Sequence, residues 1–382
     1  MNPPKVELCE NKQTSNLQSG EAAAATCKFQ DQYFEQTAWW SPKATTTGGR
    51  VEHDPTEQPA TPEAIPGKSV TIPLTVGHED RAYQFYWPKN HPLTDKLKVV
   101  YAADGLATAE TDPSFHLGVQ GGLFAEADAD GFAVASLKPE TKESFGLGLI
   151  TMHFWNTHNS VLGFDPKKQD DALYAAAVQT DVSKHFNVEA SHDKQFCDGF
   201  SNGGNLCREM DVKGVALISS TKLVHEQSTK PGTSALIVHG LDDQILPYFG
   251  GTYGPSSRVG FNIWWVQNNL ANGKFNESLP VSLLPDYVET NNMTSAHFED
   301  NQYFHKSSFA SSDTSVQAIE YLMKPPYAGH NYSGGHAEPD SGNLWSANTN
   351  VIPRNIFDVN KVAACFFGLR KKDDCNQEGA TD

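Results

Sequence analysis

Gly199-Phe200-Ser201-Asn202-Gly203 has the Gly-x-Ser-x-Gly spacing of a sharp strand-to-helix elbow. The spacing has a steric cause. The chain turns so tightly at the serine that flanking side chains would clash, and the serine backbone itself is strained. A hydroxyl raised this way stands at the top of a sheet with helix N-terminal amides beneath it. The neighbours fit: Lys194-Gln195-Phe196-Cys197 completes a strand, and Asn205-Leu206-Cys207-Arg208-Glu209-Met210 opens a helix.

Outward from the elbow the pattern is regular. Val70, Ile72 and Leu74 alternate, as do Tyr83, Phe85 and Trp87, predicting two half-buried strands joined as a hairpin. Short apolar runs at 98–102, ending in Asp104-Gly105, and at 132–135 predict two more strands. Residues 170–186 predict a helix with Leu173, Ala177, Val178 and Val182 near one face. The continuous apolar runs 215–218 and 235–238 suit strands buried on both faces of a parallel sheet. A helix is expected over 261–270, a late strand over 316–322, and a closing helix over 358–367 with Val359, Val362, Ala363 and Phe366 on one stripe. Strands alternating with helices after an initial hairpin predict an α/β architecture, with a mostly parallel central sheet and helices on both faces. Residues 69–382 then form one domain, and residues 1–68 a loop-rich extension. No internal repeat is visible, which argues against solenoids and propellers.

Composition narrows the partners. The 382 residues are 38% hydrophobic with 30 Gly and 22 Pro, which predicts long polar loops around the core. A formal net charge of −17 disfavours nucleic acid and anionic membrane surfaces and suits neutral polymers or small molecules. No run approaches the apolar length of a membrane span. The six cysteines contain no Cys-x-x-Cys pair, so a zinc site has no support. Their three local couples predict disulfides Cys9–Cys27, Cys197–Cys207 and Cys365–Cys375 and an oxidising compartment; buried free thiols, at Cys197 in particular, are the alternative. The first residues lack the basic-then-apolar layout of a secretion signal, so the expectation is a secreted protein whose signal is not part of this chain. Asn-x-Ser/Thr triplets occur at Asn276, Asn292 and Asn331 and matter only in a host that glycosylates.

A serine hydroxyl is a poor nucleophile near neutral pH. It needs an imidazole to take its proton and a carboxylate to fix and stabilise that imidazole. In this architecture the chain order is Ser, then Asp or Glu, then His. Residues 237–248 place Asp242 and Asp243 on a loop leaving a buried strand, where α/β sheets bind ligands. Ser333-Gly334-Gly335-His336 puts a histidine on a glycine-flanked loop after the last strand, and His330, six residues earlier, is the rival base. His239 reads as a buried hydrogen-bonding residue. His153 and His158 lack companion ligands for a metal, and no cofactor is expected.

Three of these stretches together resemble the secreted esterase family that contains poly(3-hydroxybutyrate) depolymerases and the related feruloyl and acetylxylan esterases. They are Gly199-Phe200-Ser201-Asn202-Gly203-Gly204, the segment from His239-Gly240 through Asp243 to Tyr248 and Gly250-Gly251, and Gly334-Gly335-His336 followed by Pro339. The approach Arg81-Ala82-Tyr83-Gln84-Phe85-Tyr86-Trp87-Pro88 is similar to that family's first hairpin. The resemblance implies an α/β-hydrolase fold with Ser201 as nucleophile, Asp243 as acid, Asp242 as the fallback acid, and His336 as base. The oxyanion hole would combine the amides of Asn202 and Leu106. Where the family has His-Gly, this chain has Asp104-Gly105, so the Asp104 carboxylate must point away or be paired. Where the family has Trp two residues after the base, this chain has Glu338. By position, Trp155, Tyr248, Trp264 and Trp265 are candidates to line the cleft, with core packing the alternative for each. The implied activity is ester hydrolysis through an acyl-serine, on a polyester such as poly(3-hydroxybutyrate) or its oligomers, or else on feruloylated or acetylated polysaccharide. A non-catalytic binding protein and a serine peptidase of the same fold are the competing classes.

Overall fold

The computed structural model of the chain describes residues 63–105, 117–118, 121–139, 141–145, 150–157, 168, 170–220, 232–241, 243, 246, 252–253, 263–264, 293–311, 315–333 and 352–375. Nearly all of the 1–68 extension, Cys9 and Cys27 lie outside these residues.

Alternating apolar residues build the first hairpin. Strand β1 (Ser69–Val76) pairs antiparallel with β2 (Glu79–Tyr86), in register from Ser69↔Tyr86 to Val76↔Glu79. Next come β3 (Lys98–Ala103) and β4 (Phe132–Leu137), then a separate hairpin of β5 (Thr141–Phe145) and β6 (Ile150–Phe154). The elbow strand is β7 (Gln195–Phe200), followed by β8 (Gly214–Ile218) and β9 (Ser234–Gly240). The short β10 (Thr252–Tyr253) and β11 (Ile263–Trp264) pair with each other. The last strands are β12 (Met293–Asp300), β13 (Phe304–Ser311) and β14 (Gln317–Met323).

Ten of these strands form one sheet in the order β1-β2-β4-β3-β7-β8-β9-β14-β13-β12. The six strands from β4 to β14 are mutually parallel, and antiparallel partners extend the sheet at both edges. The sheet is therefore mixed, parallel where the expectation placed it and antiparallel outside. Every residue of β4, β7 and β8 is buried, as it must be when both faces of a strand are covered.

Helices supply the cover. Helix α1 (Leu123–Asp130) lies against β4, with Tyr86 stacked on Phe124 at 4.0 Å and its hydroxyl donating to Asp128. Helix α2 (Asp171–His185) starts at Asp170, whose carboxylate accepts the Ala172 amide. It buries Tyr174, Ala175, Val178 and Val182, the i, i+4 stripe of an amphipathic helix. Leu173, expected on that face, is 62% exposed, one residue off the stripe. Helix α3 (Asn202–Glu209) follows the elbow. Helix α4 (Val359–Phe366) is capped by Asp358 and joined through Cys365–Cys375 to α5 (Lys372–Cys375). Val359 and Ala363 are buried as expected, while Val362 and Phe366 are half-buried.

One buried ion pair ties the hairpin to α2. The Arg81 guanidinium, 3.9 Å above the Tyr174 ring, donates to Asp171 at 2.8 Å, and the other carboxylate oxygen accepts the Asn156 amide at 2.7 Å. Burial pushes the Asp171 carboxyl up to about 6 against the pull of Arg81, so it is ionised at neutral pH. The helix expected over 261–270 is corrected at its described part. Ile263 and Trp264 pair as a strand with Thr252–Tyr253, in keeping with the preference of branched and aromatic residues for strands.

Candidate active site

The elbow forms where the spacing places it. Between β7 and α3, Ser201 adopts φ 52 and ψ −121, a region L-residues enter only under strain. The surroundings hold it there. The Ser201 amide donates to the Ile218 carbonyl at 2.8 Å, and the Ser201 carbonyl accepts the Gly204 amide at 3.2 Å. Gly203 shows why the motif demands glycine, since a Cβ there would sit 1.9 Å from the Ala103 carbonyl oxygen. The disulfide Cys197–Cys207 clamps the elbow by linking β7 to α3 on either side of the serine. Both sulfurs are wholly buried, and the free-thiol alternative for Cys197 does not hold.

Asp243 stands just past β9. Its Oδ1 accepts the Leu246 amide at 2.6 Å, and its amide donates to the Gly240 carbonyl. Behind it, burial lowers the pKa of His239 and keeps that imidazole neutral. His239 Nε2–H donates to the Leu246 carbonyl at 2.7 Å and lies 3.4 Å from Asp243 Oδ2. His239 is thus the structural histidine the sequence suggested. Burial works to raise the Asp243 carboxyl, but the charge and hydrogen bond of His330, together with the Leu246 amide, hold it below its ordinary value.

The histidine that meets these two groups is His330. Its Nε2 is 3.1 Å from Ser201 Oγ, and its Nδ1 is 2.8 Å from Asp243 Oδ2. Of the two histidines the sequence offered, the structure places the rival, His330, between these groups, while His336, which the resemblance favoured, lies outside the described residues. The physical reason is occupancy: the gap between the serine oxygen and the carboxylate holds one imidazole, and His330 fills it. Several contacts anchor its loop. Ser219 Oγ donates to the Asn331 carbonyl, the Val359 amide donates to the Ser333 carbonyl, and the Phe200 ring lies 5.1 Å from the imidazole. A Cβ on Gly240 would fall 2.0 Å from the Ala328 carbonyl, so the chain entering this loop rests on the end of β9. Ser201, Asp243 and His330 are all buried.

With strand order, elbow and chain order of the three groups in view, the fold can be stated. It is that of an α/β-hydrolase. The sequence matches no family model and no curated protein. Among solved structures the hydrolase-fold chain is similar to a ferulic acid esterase from Anaeromyces mucronatus, at 12% identity over 74% of this chain and 90% of that one, TM-score 0.38. It is also similar to a further ferulic acid esterase at 17% identity, over 48% of this chain and 81% of that one, TM-score 0.35. A third likeness is to a dienelactone hydrolase-like promiscuous phosphotriesterase from metagenomic libraries, at 15% identity over 46% and 70%, TM-score 0.31. The fold rests on the strand order above, not on these likenesses.

The remaining expected residues divide. Asn202 takes the first position of α3, beside Ser201, and its side-chain Oδ1 accepts the Trp155 amide at 2.7 Å. Trp155 is wholly buried, and its indole N–H donates to the Asp104 carbonyl at 2.6 Å. That corrects its expected place in the cleft: the ring braces the β3 turn against the start of α3. The Asp104 carboxylate accepts the Gly105 amide at 2.8 Å, which pairs it and uses that N–H. The same turn lies close to Ser201, since a Cβ on Gly105 would lie 3.2 Å from Ser201 Cβ. Leu106, Asp242, Tyr248, Trp265 and Glu338 lie outside the described residues, and Trp264 is described only as part of β11. Asn331, head of one Asn-x-Ser triplet, is 2% exposed and accepts the Ser333 hydroxyl.

Proposed function

We propose that this protein is a serine carboxylic ester hydrolase that works through an acyl-enzyme. The observation that carries the reading is the unbroken chain of hydrogen bonds from Ser201 Oγ through His330 to Asp243. In this reading His330 Nε2 takes the serine proton as Oγ attacks the ester carbonyl, and Asp243 holds Nδ1–H toward itself and stabilises the imidazolium. His330 then returns the proton to the leaving alcohol, and water repeats the path to release the acid. The Asn202 amide at the helix start is assigned to the oxyanion, with the Leu106 amide as second donor because the 104–105 turn already abuts Ser201.

For the acyl group we propose a hydroxyalkanoate polyester or its oligomers, on the strength of the motif resemblance. The two disulfides among the described residues support a place in an oxidising, extracellular setting. No described helix is long and apolar enough to cross a membrane.

The test has three arms. Ser201→Ala should abolish hydrolysis of p-nitrophenyl butyrate while its thermal melt stays near that of the parent; retained turnover would sink the reading. A labelled fluorophosphonate should form an adduct at Ser201, and its absence would favour a binding protein on a hydrolase fold. Polyhydroxybutyrate film and methyl ferulate, assayed side by side, separate the polyester from the feruloyl ester.

A further inference from the structure

Asp198 sits on β7, three residues before Ser201, with none of its surface exposed. Its Oδ2 lies 3.0 Å from the Tyr332 hydroxyl oxygen, and the same hydroxyl lies 2.8 Å from Asn360 Oδ1. Proton accounting decides who donates. Asn360 Nδ2 donates to the Gly121 carbonyl, which fixes the amide orientation, because turning it over would set oxygen against oxygen. Asn360 Oδ1 is therefore an acceptor, and the single hydroxyl proton of Tyr332 goes to it. The tyrosine oxygen then meets Asp198 only as an acceptor, so the proton between them belongs to the acid.

We propose that Asp198 is a neutral carboxylic acid in the working enzyme, a positioning residue whose proton locks Tyr332, and with it the His330 loop, onto the strand that carries Ser201. The inference rests on the hydrolase reading above. Tyr332 is two residues past His330, and the Phe200 ring lies against both, 5.1 Å from the imidazole and 6.1 Å from the phenol. The surroundings favour the neutral form. Burial pushes the Asp198 carboxyl up to about 7, and the Tyr332 hydrogen bond only partly offsets it. The strand neighbours of Asp198 are Ala102 on β3 and Ala216 on β8, neither of which bears charge. The other ionisable groups facing Tyr332 are Asp104, past the end of β3, and Asp358, the cap of α4. Both are acids, and each opposes a further negative charge here. Once Asp198 ionises it becomes an acceptor, and one tyrosine proton cannot serve both Asp198 and Asn360. A buried acceptor then loses its partner and the His330 loop loses one of its anchors.

The test is the pH profile of ester hydrolysis for the parent, Asp198→Asn and Tyr332→Phe. An amide at position 198 donates to Tyr332 at every pH. The parent kcat should fall on the alkaline side with a midpoint near about 7. In Asp198→Asn that fall should vanish, with KM within about twofold of the parent and near-parental kcat at its optimum. Tyr332→Phe should lose about tenfold or more in kcat with KM held, because the base is no longer placed to sub-ångström tolerance. Superimposable profiles for the parent and Asp198→Asn overturn the proposal. Should the variants fail to fold, infrared spectroscopy of the parent decides: a protonated-carboxyl carbonyl band that is lost in two steps, one at about 6 for Asp171 and a second at about 7, supports it, and a band lost in the Asp171 step alone overturns it. Ser201→Ala keeps the two readings apart. Turnover retained in that variant sinks the hydrolase assignment, whereas a dead variant with superimposable profiles sinks the role of Asp198 alone.

Discussion

At the scale of single residues, Gly203 and His330 mark the two ends of what a sequence discloses. Gly203 was legible because the elbow's spacing marks it, although what requires glycine there is tertiary: the Ala103 carbonyl at the end of the neighbouring strand β3 occupies the space a Cβ would need. Gly203→Ala is expected to destabilise the protein by about 3 kcal/mol or more, since the clash is with backbone that cannot step aside, and urea denaturation measures it. Ser201 and Asp243 were legible for a similar reason, each lying one turn past a buried strand. His330 was not. From the end of β14 the chain must cross back over β9 and β8 to reach β7, about 14 Å at the usual strand spacing. Seven residues or thirteen can both span that. What selects His330 is the set of anchors around it, Ser219, Phe200, Asp198 and Asn360, scattered along the chain and brought together by the fold. Accordingly His330→Ala should lower kcat by about 10⁴-fold or more, while His336→Ala should stay within about threefold, both read on p-nitrophenyl butyrate.

At the scale of elements, the central parallel strands were readable because burial on both faces leaves continuous apolar runs, as at 215–218 and 235–238. The outer strands β12, at the edge of the sheet, and β13, next to it, were missed. Their residues alternate among Ser, His, Lys, Glu and Asp, the polar dress of a sheet edge, and carry little apolar period. Helix α1 was missed because Leu123-Phe124-Ala125-Glu126-Ala127-Asp128-Ala129-Asp130 is short, and much of its docking comes from the distant Arg354 and Arg370, both paired with Glu126. The clamp Cys197–Cys207 belongs to this scale, for it joins strand to helix across ten residues. Replacing both cysteines by alanine should cost about 3 kcal/mol by loop-closure entropy. It should also reduce kcat, because the strained serine depends on that frame. Guanidinium denaturation and steady-state kinetics measure the two effects.

For the whole molecule, charge and buried acids act in the same direction. The folded carboxyls of Asp171 and Asp198 are raised to about 6 and about 7. Their contribution is complete below the ordinary carboxyl value and is lost as pH rises through those two values. Asp243 works oppositely: its folded value is lowered, so its contribution is present above the unfolded value and lost only as pH falls through the folded one. The net charge of −17 adds self-repulsion that grows as the remaining acids ionise. The urea midpoint is therefore expected to fall from about pH 5 to about pH 8, and at the higher pH to recover in added sodium chloride, which screens the repulsion but leaves buried groups untouched. The buried pair behaves differently: Arg81→Met should cost about 3–5 kcal/mol at neutral pH, with little help from salt, because it strands an ionised Asp171. The enclosed Asn331 bears on how the protein is produced. In a eukaryotic secretory host its triplet is open to oligosaccharyl transfer only while the chain is nascent, and a sugar attached then would keep the following tyrosine from seating. Material from such a host should divide into an active, unglycosylated fraction at this site and an inert, glycosylated one, which mass spectrometry of the 307–354 tryptic peptide would resolve, trypsin not cutting between Lys324 and Pro325.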